Sequence, residues 1–503
     1  MKTKIPFVLA LLSGASLTFA YAPFNLWYIA PIALIIAIRQ LAMVKRERAF
    51  FTGWLFGLGW FGAGVSWVHV SIADFGGLPL AASVGMMFLL CAYLALFPAI
   101  SFYLAKRFAS VAAWPLLLPA CWFVAEWFRS WFLSGFPWLS LGYSQLHSPL
   151  AGWLPIVGET GVTLLIVMLS TSLAISIQRT GRTTTFIMPV LLTLTLGISG
   201  LVLNQVDWTQ RHKPYSIAMV QGNIAQSLRW APEHDGPTME KYLSLTDPLW
   251  QNDLIIWPEA AIPKIEPLAQ DYIAYVDRLA GQNNTSLVTG IVNFNLETDE
   301  AWNNIIVLGN KERNDNVGQY RYFHGNRYAK HHLLPVGEVV PFEDWLRPLA
   351  PIFDLPMSSF ARGDYQQANL VANGIHLAPS LCFEIAFPRL LNANLHNDTD
   401  FIITVSNDAW FGASHGPDQH LEIAQVRAKE FGIPVLRATN NGITAFIDEK
   451  GDLISRLPQF EAGSLTATLY STRGLTPYRR FGDTFGWVAT LLLLIGYRYI
   501  SRR

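Results

Sequence analysis

The sequence predicts an α/β domain carried on a bundle of membrane-crossing α-helices. Three observations carry that expectation. Residues 1–204 hold only 15 of the 72 charged side chains. Seven long apolar stretches fill those residues, and an eighth closes the chain. Between the seventh and the eighth, short β-type runs alternate with longer helical patterns.

Composition sets the outer limits. Of 503 residues, 51% are hydrophobic and 14% charged, against roughly 25% charged in an average soluble domain. That excludes a disordered chain and a small disulfide scaffold, and argues against a purely soluble enzyme. Formal net charge is zero, so there is no basic footprint for nucleic acid.

The apolar stretches lie at about 6–22, 24–38, 53–72, 80–104, 111–131, 157–177 and 186–204, with the eighth at 484–500. Most approach the roughly 20 residues that cross a hydrocarbon core. The second is short, and Pro23 turns the first two into a tight hairpin. The expected organisation is a seven-helix transmembrane domain over 1–204, a soluble domain over 205–483, and an eighth helix with a tail over 484–503. Basic clusters at Lys2 and Lys4, at Arg39 to Arg48, at Lys106 and Arg107, at Arg179 and Arg182, and at Arg498 to Arg503 fall on one side if all eight segments cross. The positive-inside rule then places both termini in the cytoplasm and residues 205–483 on the opposite side. A cleavable signal peptide is the alternative reading of the first 22 residues, which end Thr18-Phe19-Ala20-Tyr21-Ala22. It leaves the side of the soluble domain unchanged. Glu126 and Arg129 are three apart near the end of the fifth stretch and can pair. They read either as a functional pair at membrane depth or as an interfacial pair that orients the helix. Five glycines, from Gly53 to Gly64, suit close helix packing in the third stretch.

Eight strand-like runs follow: 216–220, 254–257, 286–292, 304–308, 377–382, 401–405, 435–438 and 444–447. Residues 271–282 and 420–431 read as helices. No phosphate loop, dinucleotide fingerprint or tandem repeat is present. Cys91 and Cys121 fall in apolar stretches, which leaves Cys382 alone in the soluble half. A lone thiol there is either buried and inert or reactive.

Three motifs decide between those readings. In Trp257-Pro258-Glu259 an apolar strand ends at a proline and a carboxylate. In Tyr328-Ala329-Lys330-His331-His332 a lysine precedes an apolar step, with Glu338 eight residues on. In Ser380-Leu381-Cys382-Phe383-Glu384 another apolar strand ends at a thiol, with a carboxylate two places later. Together they supply a base, a cation and a nucleophile. That order and those contexts resemble the nitrilase superfamily of carbon–nitrogen hydrolases. Ser406-Asn407-Asp408-Ala409-Trp410-Phe411 and Arg437-Ala438-Thr439-Asn440-Asn441-Gly442 extend the likeness. Over nearly the whole chain the sequence resembles the membrane-embedded branch of that superfamily, the apolipoprotein N-acyltransferases. Glu126-Trp127-Phe128-Arg129, Gly135-Phe136-Pro137-Trp138 and the run from Gln221-Gly222-Asn223-Ile224 to Trp230 belong to that likeness.

The resemblance implies a four-layer α-β-β-α sandwich inserted in an eight-helix transmembrane bundle. It implies transfer of an acyl chain from a phospholipid to the N-terminal amine of a diacylglyceryl-cysteine, through a thioester on Cys382. Glu259 is then general base and acid, and Lys330 stabilises the oxyanion. Nearby cationic charge is also expected to favour the thiolate. Glu338 orients Lys330 or shares the proton work. Glu384 either supports the site or makes a structural salt bridge. Phe383 stands where many relatives carry Tyr, so only its packing carries over. Trp230 and Trp410 read as walls for acyl or lipid groups, or as core. Residues 342–366, with Trp345 and Phe353, read as a lid at the lipid interface or as a loop on the core. No cofactor and no metal are expected, and His332 reads as structural. The expected partners are a phospholipid donor, a diacylated apolipoprotein acceptor and the bilayer, with the chain a monomer in the bacterial inner membrane and its catalytic domain periplasmic. A membrane-anchored amidase, in which water resolves the thioester, is the alternative enzyme. A transporter or receptor with an inert sensor domain is the alternative of another class.

Overall fold

The apolar stretches become helices, because a backbone without water must satisfy its polar groups within itself. In the computed structural model, described over residues 4–502 except 76, 179–183, 229–230, 260, 296, 336 and 340–359, the chain forms two compact units. The first comprises Met1–His69, Pro79–Asp207 and Thr476–Arg503, and the second Val70–Leu78 and Trp208–Leu475.

Among the described residues of the first unit, five helices are long and apolar enough to cross a membrane: Leu80–Phe108, Val111–Arg129, Pro149–Ile177, Phe186–Leu203 and Thr484–Ser501. Arg46–Gly64 and the short turn from Val68 form a pair bent by 62°, which counts as a sixth if the pair is one span. Ile5–Ala20 and Ile29–Met43 are shorter apolar helices. The third predicted stretch is therefore broken where a continuous helix was expected. Gly59 shows why that stretch is rich in glycine: a Cβ there would lie 2.0 Å from the Leu11 carbonyl oxygen. The two helix backbones meet where a side chain cannot fit. Glu126 and Arg129 form a buried ion pair. Arg129 also donates to the carbonyls of Phe136 and Trp138. The pair thus ties the Gly135-Phe136-Pro137-Trp138 loop to the end of its helix.

The second unit contains two six-stranded sheets. Their strands are β1 (Thr209–Gln221), β2 (Leu254–Ile256), β3 (Ser286–Asn295), β4 (Glu300–Gly309), β5 (Arg327–Ala329), β6 (Leu370–Ala372), β7 (Ile375–Leu381), β8 (Phe401–Ser406), β9 (Val435–Thr439), β10 (Ala445–Ile447), β11 (Leu453–Arg456) and β12 (Gly463–Gly474). The orders are β12-β1-β2-β3-β4-β5 and β11-β10-β9-β8-β7-β6. Side chains alternate between faces with period two. Ile217, Met219, Leu254 and Ile256 join Leu377, Leu381, Ile403, Val405 and Leu436 in one core shared by both sheets. Their neighbours Ala218, Val220 and Ile255 face the other way, into a second core with Ile273, Val276 and Ala280 of the helix Glu266–Gln282. Each such fully buried aliphatic side chain contributes roughly 1.5–3 kcal/mol of transfer free energy. On the other sheet the helix Gly416–Phe431 packs against β9. Pro417 begins that helix and Gly432 ends it in the left-handed conformation, its N–H donating to the Ala428 carbonyl, as C-capping glycines do.

Strands β1, β2 and β3 run parallel, as do β7, β8 and β9. Strand β5 is antiparallel to β4, and β4 to β3, so β5 ends on the same edge as β2. In parallel sheets the carboxyl edge is where chemistry collects. All three motifs of interest lie at such edges.

Candidate active site

Strand β2 stops because Pro258 has no N–H to continue the ladder. Trp257 is anchored first, its N–H donating to the Val288 carbonyl at 2.8 Å and its indole to Thr246 Oγ1 at 2.9 Å. Glu259 follows, 6% exposed. Its Oε1 accepts from Asn303 Nδ2 at 2.8 Å and its Oε2 from the Asn407 N–H at 3.1 Å.

Lys330 follows β5 directly, its N–H donating to the Asn303 carbonyl at 2.8 Å. Its side chain is 2% exposed, with Nζ 2.6 Å from Glu338 Oε2. The same Glu338 oxygen accepts from the Leu334 N–H, and Oε1 accepts from Asn303 Nδ2 at 2.9 Å. One amide, Asn303, therefore bridges the two carboxylates. Burial alone pushes Lys330 down, but Glu338 and Glu259 outweigh it and hold the ammonium above the usual lysine range. That shift favours Lys330 as a cation and a donor.

Cys382 follows β7 on a sharp turn, with φ +53°. A non-glycine residue there is strained by about 1 kcal/mol or more. Two contacts hold it: Ser406 Oγ lies 3.3 Å from Sγ, and His420 Nε2 donates to the Cys382 carbonyl at 3.1 Å. Burial pushes the thiol up to about 12, Glu259 adds to the shift, and Lys330 opposes it. Lys330 thus acts in the direction expected of a nearby cation, toward the thiolate. Desolvation and the carboxylates outweigh it, so the net shift favours the thiol.

Glu384 makes no ion pair among the described residues. It accepts from the backbone N–H groups of Leu381, His331 and His332 and from the Tyr328 hydroxyl, all at 2.8–3.0 Å. It thereby ties the Cys382 turn to the Lys330 segment. Burial raises its pKa, against the pull of Lys330 and its donors. Phe383 is 5% exposed and meets Phe387 edge-on, while His332 stacks on Phe387 with ring centroids 3.6 Å apart. The Trp410 carbonyl accepts from Ser71 Oγ at 2.6 Å. Trp230, Trp345 and Phe353 lie outside the described residues, as does most of 342–366. A shallow recess opens beside Glu259, lined also by Gln226, Thr238, Pro263, Asn407 and Asn440. No cluster of metal-ligand side chains occurs among the described residues.

Comparison with known proteins follows the same division of the chain. Residues 13–172 match the apolipoprotein N-acyltransferase N-terminal domain, and residues 216–478 match carbon-nitrogen hydrolase. A protein of Shewanella oneidensis named apolipoprotein N-acyltransferase is 45% identical over 97% of this chain and 95% of its own. One of Vibrio parahaemolyticus with the same name is 46% identical over 96% and 95%. The chain belongs to the apolipoprotein N-acyltransferase family. Relatives in that family reach further, for one of Pasteurella multocida is 39% identical over 100% of this chain and 97% of its own. Among solved structures, a CN-hydrolase superfamily protein of Xanthomonas campestris aligns with 51% of this chain and 91% of its own, at 18% identity and a TM-score of 0.37.

Sequence reading missed five polar members of this cluster. Asn303 carried one signal, an amide among the apolar residues of β4. Ser406, Asp408 and Arg437 sat inside quoted motifs without a role. His420 was read only as the start of a helix.

Proposed function

We propose that this protein, an N-acyltransferase of lipoprotein maturation, moves an acyl chain from a phospholipid to the N-terminal amine of the diacylglyceryl-cysteine of apolipoproteins. The observation that carries this is the Glu259–Asn303–Glu338–Lys330 network, which joins a carboxylate to the Lys330 side chain beside strand ends in the same unit as Cys382. Glu259 takes the Cys382 proton as Sγ attacks the ester carbonyl. Lys330, with the Phe383 N–H, stabilises the oxyanion. The alcohol leaves with the proton from Glu259, and Cys382 holds the acyl group as a thioester. The amine then attacks, Glu259 accepts its proton, and the thiol re-forms.

The architecture in this reading is a four-layer α-β-β-α sandwich over 205–483. It is inserted between seven helices in 1–204 and an eighth in 484–503. Both termini are cytoplasmic, the catalytic domain is periplasmic in the inner membrane, and the chain acts as a monomer. Phe383 packs beside the nucleophile, and Trp230, Trp410, Trp345 and Phe353 contact lipid or acyl groups. The test is incubation of purified protein with labelled phospholipid and a diacylated lipopeptide, with and without a blocked amine. A triacylated product from the free amine alone supports the reading. Release of free fatty acid with no acylated peptide points instead to an amidase-like hydrolase.

A further inference from the structure

A second polar cluster lies behind the nucleophile. Leu381 of β7 pairs in register with Val405 of β8, so Cys382 and Ser406 stand side by side one step on. Ser406 Oγ is 3.3 Å from Cys382 Sγ and 2.6 Å from Asp408 Oδ1. A serine hydroxyl carries one proton and cannot donate to both. Asp408 is fully buried, with Arg437 Nη2 2.6 Å from Oδ2. Burial opposes its charge, but Arg437 wins and holds the carboxyl at about 2. While Cys382 is a thiol, Asp408 is the stronger acceptor, and the Ser406 proton points to it. The oxygen is then left to receive S–H.

The rest of the cluster keeps this arrangement fixed. His420 Nε2 donates to the Cys382 carbonyl, and Nδ1 lies 3.2 Å from both Asp408 Oδ1 and Arg437 Nη2. Burial and Arg437 lower the His420 pKa, against the pull of Asp408. The charged groups that act on the thiol are Glu259, Lys330 and Asp408. Glu338 and Glu384 act on Lys330, and Arg437 and His420 lie against Asp408.

We propose that Ser406 is a positioning residue for the Cys382 sulfur, its hydroxyl proton turning from Asp408 to Sγ whenever the sulfur becomes anionic. That occurs when the thiol loses its proton and, on the acyl-transfer reading above, again when the thiolate leaves the thioester. No bond to carbon changes at Ser406. Only the direction of one hydrogen bond does.

The test reads the thiol without any acyl substrate, so its outcome is separate from that of the acyl-transfer reading. Intact protein in detergent is alkylated with iodoacetamide between about pH 7 and pH 9, and modification of Cys382 is followed by peptide mass spectrometry. Below the thiol pKa the log rate rises with unit slope. Ser406→Ala displaces that line downward in parallel by about tenfold, equivalent to about one pH unit. Ser406→Thr, which keeps the hydroxyl, restores it. Asp408→Asn moves the rate the opposite way, upward, because it weakens the competing acceptor and removes a buried negative charge. Ser406→Ala reacting as fast as the parent, or Ser406→Thr as slowly as Ser406→Ala, overturns the proposal. If Ser406→Ala does not fold, the Asp408→Asn rate decides, and a fall there overturns it.

Discussion

Asn303→Ala is the perturbation that most directly probes how the base and the cation are joined. Asn303 is 4% exposed and gives Nδ2 to Glu259 at 2.8 Å and to Glu338 at 2.9 Å. A hydrogen bond to a charged partner contributes roughly 1.5–3 kcal/mol. Glu338 keeps Lys330 and the Leu334 N–H after truncation. Among the described residues Glu259 keeps only the Asn407 N–H, so the loss falls mainly on the general base of the proposed mechanism. With about 1.4 kcal/mol per factor of ten, the expected fall in turnover is about 10–100-fold. The fold survives, because the Asn303 carbonyl still accepts from the Lys330 N–H and the ladder to β3 remains. Lipopeptide acylation is measured with kcat and KM separated, and the thermal midpoint beside it. Asn303→Asp, which sets a third carboxylate between two, falls further than Asn303→Ala. Turnover within about twofold of the parent in a folded Asn303→Ala protein refutes the bridging role.

Further outcomes follow from the same geometry. Lys330→Met loses about 10²–10³ in turnover by removing an oxyanion donor, read by single-turnover acyl-enzyme formation. Glu384→Gln turns an NH₂ toward backbone donors and loses stability and activity together, by roughly 2 kcal/mol in the first, seen as a lower thermal midpoint. Asp408 has a folded pKa of about 2 against 3.8. Depression of a carboxyl pKa means its stabilisation is fully present above the unfolded value and is lost as pH falls from about 4 to about 2. That part, roughly 2 kcal/mol, disappears in Asp408→Asn, so the drop in thermal midpoint on acidification shrinks.

Much of the fold was legible in the sequence because apolar alternation is a strong signal. Ser216 to Val220 and Phe401 to Val405 fall inside β1 and β8, where buried faces demand it. Strand β12, Gly463–Gly474, was missed since its residues are largely polar and half exposed. The helix Asp235–Thr246 was missed for its Gly-Pro pair and few apolar residues. The sixth stretch begins at Pro149 rather than 157, because Gly158 interrupts the helix with φ +66°. Glu259, Lys330 and Cys382 stood out as reactive residues at strand ends. Asn303, Ser406 and His420 did not, since their roles arise only when distant strands bring them beside those three.

In the proposed mechanism the acyl group rests on Cys382 between donor and acceptor. Purified protein is incubated with acyl-labelled phospholipid and no acceptor, digested, and analysed by mass spectrometry. The expected result is the labelled acyl mass on the Cys382 peptide, sensitive to hydroxylamine, and its quantitative loss to a diacylated lipopeptide amine on chase. Cys382→Ala, folded and unlabelled, makes no product. Product formed by Cys382→Ala, or turnover without label ever appearing on Cys382, contradicts the account.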